Sequence, residues 1–262
     1  QIYCEDAQEV YDTVLLAVRL AENKDVLTPV FVCQDGFITS HCYEAVEFLD
    51  DETVRDFVGV RTAQYPLLDV DNPVSYGSFT MSEYYFEIKR NQMEGMNNVP
   101  RVYQELSQEL ESHTGRKYAP VDAYRADDAD YLVIIMSSAT GVVKDVVDSL
   151  RERGIKAGCL RVRLFRPFPS EELAVLVKGK KGVAVLDRSA SIGGTAPLAA
   201  EVKSALYSLK EHVPLQEYIF GLGGRDFYPK DAEQVFERLQ DNDYSKEVRY
   251  IGLLDGGDNN VG

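Results

Sequence analysis

The stretch DADYLVIIMSSATGVVKDVVDSLRERGIKAGCLRVRLF, residues 128–165, decides the fold. It opens on an apolar run, YLVII, that ends in the small residues SSATG. VVKDVVDSLRERG (142–154) then repeats valine and leucine at helical spacing and stops at a glycine. IKAGCLRVRLF (155–165) is again apolar and β-prone. Strand, helix and strand joined by loops this short make a βαβ unit, with parallel strands and a right-handed crossover.

The same texture continues downstream. RPFPSEELAVLVKG (166–179) reads as a turn and a short helix, KGVAVLDRSA (181–190) as a strand and GTAPLAAEVKSALYSLKEH (194–212) as a helix. LQEYIFGLGGRD (215–226) is a fourth strand, and PKDAEQVFERLQ (229–240) a fourth helix with Pro229 in its first turn. Residues 123–262 are therefore expected to form an α/β domain, an open and mostly parallel sheet with helices on both faces. The tail SKEVRYIGLLDGGDNNVG (245–262) is expected to add an edge segment or lie on a partner.

Upstream, DAQEVYDTVLLAVRLAE (6–22) puts Val10, Val14, Leu15 and Val18 on one helical face, with Asp6 as N-cap. The chain opens almost directly into this helix. TPVFVCQDG (28–36) reads as a short buried strand ended by a turn. The following segment, to about residue 80, is a connector whose turn residues cluster in DVDNPVSYGS (69–78). Residues 81–122 are expected to be one long helix capped by Ser82, kinked or divided near Pro100 and ended by Gly115, and then a linker. A strand apolar on both faces needs neighbours on each side. Residues 1–80 thus read as the end of an incomplete α/β domain whose earlier strands were removed or come from another subunit.

Composition narrows the function classes. The chain has 262 residues, 45% hydrophobic and 27% charged, which is an ordinary globular balance. Acids outnumber bases 43 to 28, for a net charge of −15. Nucleic-acid binding needs clustered cations to displace counterions, so a polyanion partner is not expected. No apolar run approaches the roughly 20 residues of a membrane span, and an acidic surface suits a cytoplasmic protein. Cys4, Cys33, Cys42 and Cys159 form no C-x-x-C pair and are expected to be free thiols in a reducing compartment. His41, His113 and His212 lack ligand spacing, so no metal site is expected. There is no P-loop, no G-x-S-x-G elbow and no intact G-x-G-x-x-G.

Ligands in parallel α/β sheets gather at the carboxyl ends of strands. LDRSASIGG (186–194) lies there, with Asp187, Arg188, Gly193 and Gly194 as candidates, and it builds either an anion site or a tight scaffold turn. Arg166, stiffened by the prolines of RPFP, either clamps a carboxylate or phosphate or pairs with an acid across a seam. Thr39, Ser40 and His41, in QDGFITSH (34–41), either face a substrate cleft or a partner in a complete α/β domain or have only a structural role. DGGDNN (255–260) superficially resembles a magnesium-diphosphate motif but stops two residues before the last, and it reads as a solvated tail. No catalytic residue can be assigned.

Together these residues resemble a known family. The stretch 128–173 is similar to the opening of a transketolase C-terminal-like domain. EDAQEVYDTVLLAVRLAE (5–22), VCQDGFITSH (32–41), VLDRSASIGGTAPLAAEVKSALY (185–207) and IFGLGGRDFYPKD (219–231) resemble the α subunit of 2-oxoacid:ferredoxin oxidoreductases, pyruvate synthase especially. The resemblance implies that residues 1–80 belong to a thiamine-pyrimidine-type domain. It also implies oxidative decarboxylation of pyruvate to acetyl-CoA with ferredoxin as acceptor. The alternatives are 2-oxoisovalerate or 2-oxoglutarate as substrate, or a stand-alone nucleotide-binding or assembly module. Thiamine diphosphate, magnesium, iron–sulfur clusters and coenzyme A are implied for the assembled oligomer, with none bound by this chain alone. The implied partners are a thiamine diphosphate-binding β subunit and an iron–sulfur subunit, and the isolated chain is expected to be inactive.

Overall fold

In the computed structural model, which describes residues 1–210 and 212–254, the chain begins with a short strand rather than a helix. β1 (Ile2–Tyr3) precedes α1 (Ala7–Glu22), and β2 (Val32–Cys33) lies parallel to β1. α2 (Ile38–His41), α3 (Asp51–Val58) and the long α4 (Ser82–Thr114) follow. β1 was missed because two residues carry no periodicity. β2 is half-buried, with Phe31 beside it 67% exposed, which corrects the expectation of a buried strand. Among the described residues its one ladder partner is β1.

α1 corrects a second expectation. Asp6 caps it as read, accepting from the Glu9 amide at 2.7 Å. Val14 and Val18 nevertheless face outward, and the buried face carries Glu9, Asp12 and Thr13 with Leu16, Ala17 and Leu20. Charges sit inside because arginines meet them there, as described below. Leu16 and Leu20 pack with Ile2, Phe57, Leu106 and Leu164. α3, missed within the expected connector, supplies Phe57 from a helix capped by Asp50.

α4 runs through Pro100 without division, and Met81 rather than Ser82 holds its N-cap position. Residues 81–94 are exposed, and burial begins at Val99 and continues through Val102, Tyr103, Leu106 and Leu110. Gly95 permits a close crossing, since a Cβ there would lie 2.5 Å from the Val26 carbonyl oxygen. Gly115 ends the helix in the left-handed conformation.

The remaining chain is the α/β sheet that the sequence predicts. β3 (Val121–Tyr124), β4 (Tyr131–Ile135), α5 (Ala139–Glu152), β5 (Ala157–Val162), α6 (Ser170–Val177), β6 (Gly182–Asp187), α7 (Pro197–Leu206), β7 (Leu215–Ile219), α8 (Pro229–Gln240) and β8 (Arg249–Tyr250) follow in order. The sheet order is β3-β5-β4-β6-β7-β8, parallel except at β3. β3 lies in the expected linker and covers the edge of β5, and β8 is the edge segment contributed by the tail. DGGDNN (255–260) lies outside the described residues.

Side chains alternate across the pleat. Leu132 and Ile134 of β4 face α6 and α7, packing with Leu173, Val177, Leu198 and Val202. Val133 and Ile135 face α5 and α8, packing with Val143, Val147, Phe236 and Leu239. After β4 the chain winds outward to β5 and then returns to β6 on β4's other side. The crevice outside the carboxyl ends of β4 and β6 is therefore the topological switch point, where such sheets hold ligands.

Candidate functional site

At that switch point Ser137, shortly after β4, is a buried residue in the left-handed region at φ 62°, and Ser138 opens α5. β6 ends in Asp187, whose carboxylate accepts from the Leu198 amide at 2.7 Å and the Ser189 amide at 3.0 Å. Burial pushes the Asp187 carboxyl above its ordinary range, with the two amides working against that shift. Asp187 thus fastens the 188–197 turn to the start of α7.

Arg188 lies with its guanidinium 5.3 Å from the Phe220 ring centroid. Gly221, at φ 66°, leaves room for it: a Cβ there would stand 3.1 Å from Arg188 Nε. Arg188 reaches back across the crevice to Asp35, which follows β2, with a 2.9 Å ion pair to Oδ2. The same oxygen accepts from the Ser138 amide at 2.9 Å and from the Ser138 hydroxyl. A cleft of about 200 Å³ lies alongside, lined by Tyr3, Asp35, Ser137, Phe165, Arg188 and Phe220. The free N–H groups of a helix start and a nearby arginine make an anion site, and here the chain's own carboxylate fills it.

The other candidates separate. Gly193 and Gly194 form an exposed turn beside Ile192, and nothing lies within 4 Å of a Cβ built on Gly193. Arg166 pairs with Glu201 on α7 at 2.7 Å and lies over the Phe165 ring at 4.3 Å. Its acid partner thus belongs to the same sheet domain, not to another unit. Thr39, Ser40 and His41 form α2. The buried Thr39 hydroxyl donates to the Glu5 carbonyl at 3.5 Å, and Ser40 Oγ lies 2.7 Å from His41 Nδ1. Exposed His41 is stacked by Phe37 at 5.0 Å.

The charged cluster that joins the two units was not seen in the sequence. Glu9 of α1 meets Arg161 and Arg163 of the β5 region, and Arg161 also reaches Glu5 at 3.1 Å and Asp122 at 3.4 Å. Lys144 closes the cluster on Glu5 at 2.8 Å and Asp122 at 3.1 Å. Burial raises the cost of ionising Glu9, but Arg161 and Arg163 outweigh it and hold its carboxyl below the ordinary range. Asp12, fully buried, accepts from Arg116 at 2.6 and 3.1 Å and from the Tyr118 hydroxyl. A signal existed: Glu9 and Asp12 share a helical face, and Arg161 and Arg163 share a strand face.

These residues do not fit a metal ion or an iron–sulfur cluster. Among the described residues no group of three His, Cys, Asp or Glu side chains could hold a metal ion. Cys4 and Cys159 are buried, and the four thiols are unpaired.

Residues 1–108 match the family model described as pyruvate flavodoxin/ferredoxin oxidoreductase, thiamine diphosphate-binding. Residues 129–232 match pyruvate:ferredoxin oxidoreductase core domain II. The pyruvate synthase subunit PorA of Thermotoga maritima is 48% identical over 254 residues, 97% of this chain and 65% of that protein. The chain belongs to the 2-oxoacid:ferredoxin oxidoreductase family. Among other relatives, PorA of Methanocaldococcus jannaschii is 38% identical, over 92% of this chain and 61% of that protein. The ketoisovalerate oxidoreductase subunit VorA of Pyrococcus horikoshii is 37% identical, over 97% and 63%. The chain thus spans a little under two thirds of the length of these curated relatives. A solved 2-oxoglutarate:ferredoxin oxidoreductase from Magnetococcus marinus superposes with a TM-score of 0.61 at 16% identity, over 91% of this chain and 41% of that one, and shares its fold. Among the described residues no helix is long and apolar enough to cross a membrane.

Proposed function

We propose that this chain serves as part of the α subunit of a cytoplasmic, thiamine diphosphate-dependent oxidoreductase. The assembly oxidatively decarboxylates pyruvate, passes the electrons to ferredoxin and transfers the acetyl group to coenzyme A. The observation that carries this reading is the 48% identity to a pyruvate synthase subunit across 97% of the chain.

The residues support a scaffolding share of the work. The switch point is closed by Asp35, and the charged cluster at the seam is internally neutralised. The cofactor supplies the carbanion chemistry in such enzymes, and the protein orients it. Here thiamine diphosphate, magnesium and iron–sulfur clusters belong to other segments or subunits, among them a thiamine-binding β subunit and an iron–sulfur subunit. Exposed Leu68, Phe79, Tyr84, Tyr85 and Phe86 support life in such an assembly, since apolar surface on this scale marks protein contacts.

The 37% identity to VorA favours a second reading, a branched 2-oxoacid as substrate. The test is an assembly built on this chain together with the rest of the α subunit and its partners. Ferredoxin reduction is followed with pyruvate, 2-oxoisovalerate and 2-oxoglutarate. Pyruvate is expected to give the highest kcat/KM, and this chain alone is expected to show no turnover. A preference for 2-oxoisovalerate would select the second reading. Turnover by the isolated chain would overturn the scaffolding share.

A further inference from the structure

Asp35 follows β2, yet its carboxylate is bound by donors at the ends of two strands of the other sheet. These are the Ser138 amide at 2.9 Å, the Ser138 hydroxyl, and Arg188 at 2.9 Å. The cluster around Glu9 and Arg161 already secures α1 to β5, so joining the units does not require this second contact. What Asp35 controls is local. Its carbonyl accepts from the Ser40 amide at 3.2 Å, and Ser40 Oγ accepts from the Phe37 amide at 3.0 Å. The turn so closed holds Phe37 at φ 67° with its ring 78% exposed.

A non-glycine residue at such a positive φ is strained and persists only where its surroundings over-determine it. Burial of the Phe37 ring does not supply that compensation, so the anchoring falls to Asp35. The turn stands at the carboxyl end of β2 and displays Ile38 and His41 beside Phe37. Arg188 is itself fixed in advance, against the Phe220 ring and the bare Cα of Gly221.

We propose that Arg188 and Ser138 are positioning residues that act through Asp35. They hold the 35–41 turn as one wall of the 2-oxoacid site in the assembled enzyme. This rests on the function proposed above. The turn lies where α/β sheets present ligand contacts, and its shape is set from the neighbouring domain. The wall is therefore in place only when the two units are seated on each other.

The test uses the assembled enzyme carrying Arg188→Met, Arg188→Lys or Asp35→Asn, the double variant Arg188→Met/Asp35→Asn, and Glu9→Gln as a control. Two readouts are taken: amide hydrogen exchange over residues 36–41, and kcat and KM for pyruvate. Misplacing a site wall by about 1 Å can cost on the order of a hundredfold in rate, so a loss of roughly tenfold or more in kcat/KM, carried mainly by KM, is expected for Arg188→Met and Asp35→Asn. Exchange in the turn should rise in both. The double variant should be no worse than either single one, because all remove the same contact. Arg188→Lys should restore most of both readouts. Glu9→Gln should lower the melting temperature without accelerating exchange in the turn. Unchanged exchange and KM in Arg188→Met and Asp35→Asn would overturn the proposal, as would a lysine variant as impaired as the methionine one. An assembly that turns over no 2-oxoacid would sink the functional reading, and the exchange rates alone would then decide the positioning role.

Discussion

Glu9, on α1, and Arg161, on β5, form a buried ion pair in which the carboxylate accepts from one guanidinium nitrogen at 2.8 and 3.1 Å. Arg161 is 2% exposed. Removing one partner leaves the other charge buried and unpaired, which typically costs about 3–5 kcal/mol, more than most core truncations of one methyl group. Arg161→Met should therefore destabilise the chain by about 3–5 kcal/mol in denaturant titrations. It leaves Glu5, Glu9 and Asp122 with only Arg163 and Lys144 to balance three buried or half-buried carboxylates. Glu9→Gln, which keeps an acceptor for the arginines, should cost less. Equal stability of wild type and Arg161→Met would mean that the cluster does not hold the seam.

The same cluster sets an acid limit. Burial opposes ionisation of Glu9 and Asp122, but the surrounding cations win and hold both carboxyls below their ordinary values. A depressed native pKa adds stability that is complete above the unfolded value, about 4 for these groups, and is lost as pH falls through the native value. The folding free energy of the wild type should thus fall steeply below about pH 4. The Glu9→Gln variant should start lower and decline less over the same interval. Parallel decline of the two proteins in thermal melts between pH 3 and pH 6 would contradict this.

Thiol chemistry distinguishes the four cysteines. Burial pushes the Cys4 thiol up to about 12 and raises that of Cys159 as well. Cys42 is exposed, although the neighbouring Glu44 carboxylate raises its pKa. Reactivity follows thiolate fraction and access. In the native chain Cys42 should react first with a disulfide reagent at pH 8, slowly for an exposed thiol, followed by partly buried Cys33. Cys4 and Cys159 should react only on unfolding. Peptide mapping after timed alkylation reads the order, and early labelling of Cys159 would show that β5 opens locally.

How far these features were legible in the sequence depended on periodicity. YLVII and GVAVLD announced strands because both faces of an interior parallel strand are apolar. The helices between them carried turns, caps and glycine stops. β1, β3 and β8 are edge or bridging strands of two to four residues, too short to show a period. The face of α1 was misread for a different reason. Valine outweighs glutamate on any hydropathy argument, and only the arginines 150 residues downstream in sequence explain why Glu9 goes inside and Val14 stays out. LDRSASIGG does lie at the switch point, but the carboxylate bound there comes from a turn in the other unit. Charges that share one face of a helix or strand hint at such pairing, but which distant segment supplies the partner is not written locally.

Two glycines in the loops of this crevice separate backbone strain from contact. Gly193 and Gly221 sit at φ 78° and φ 66°, so alanine at either position incurs a comparable left-handed penalty, on the order of 1 kcal/mol. Their surroundings differ. A Cβ on Gly193 meets nothing, whereas one on Gly221 stands 3.1 Å from Arg188 Nε and 3.2 Å from its Cγ. Gly193→Ala should cost only the backbone term and leave the 35–41 turn alone. Gly221→Ala should add a displacement of Arg188 away from Asp35, so its melting temperature should fall further. Amide exchange at residues 36–41 should accelerate in Gly221→Ala and not in Gly193→Ala. The arginine side chain is long and can swing aside without disturbing the core, so the extra loss of stability should be small beside the change in exchange. Identical exchange in the two variants would show that Arg188 tolerates the added methyl in place and that the bare Cα of Gly221 has no part in aiming it.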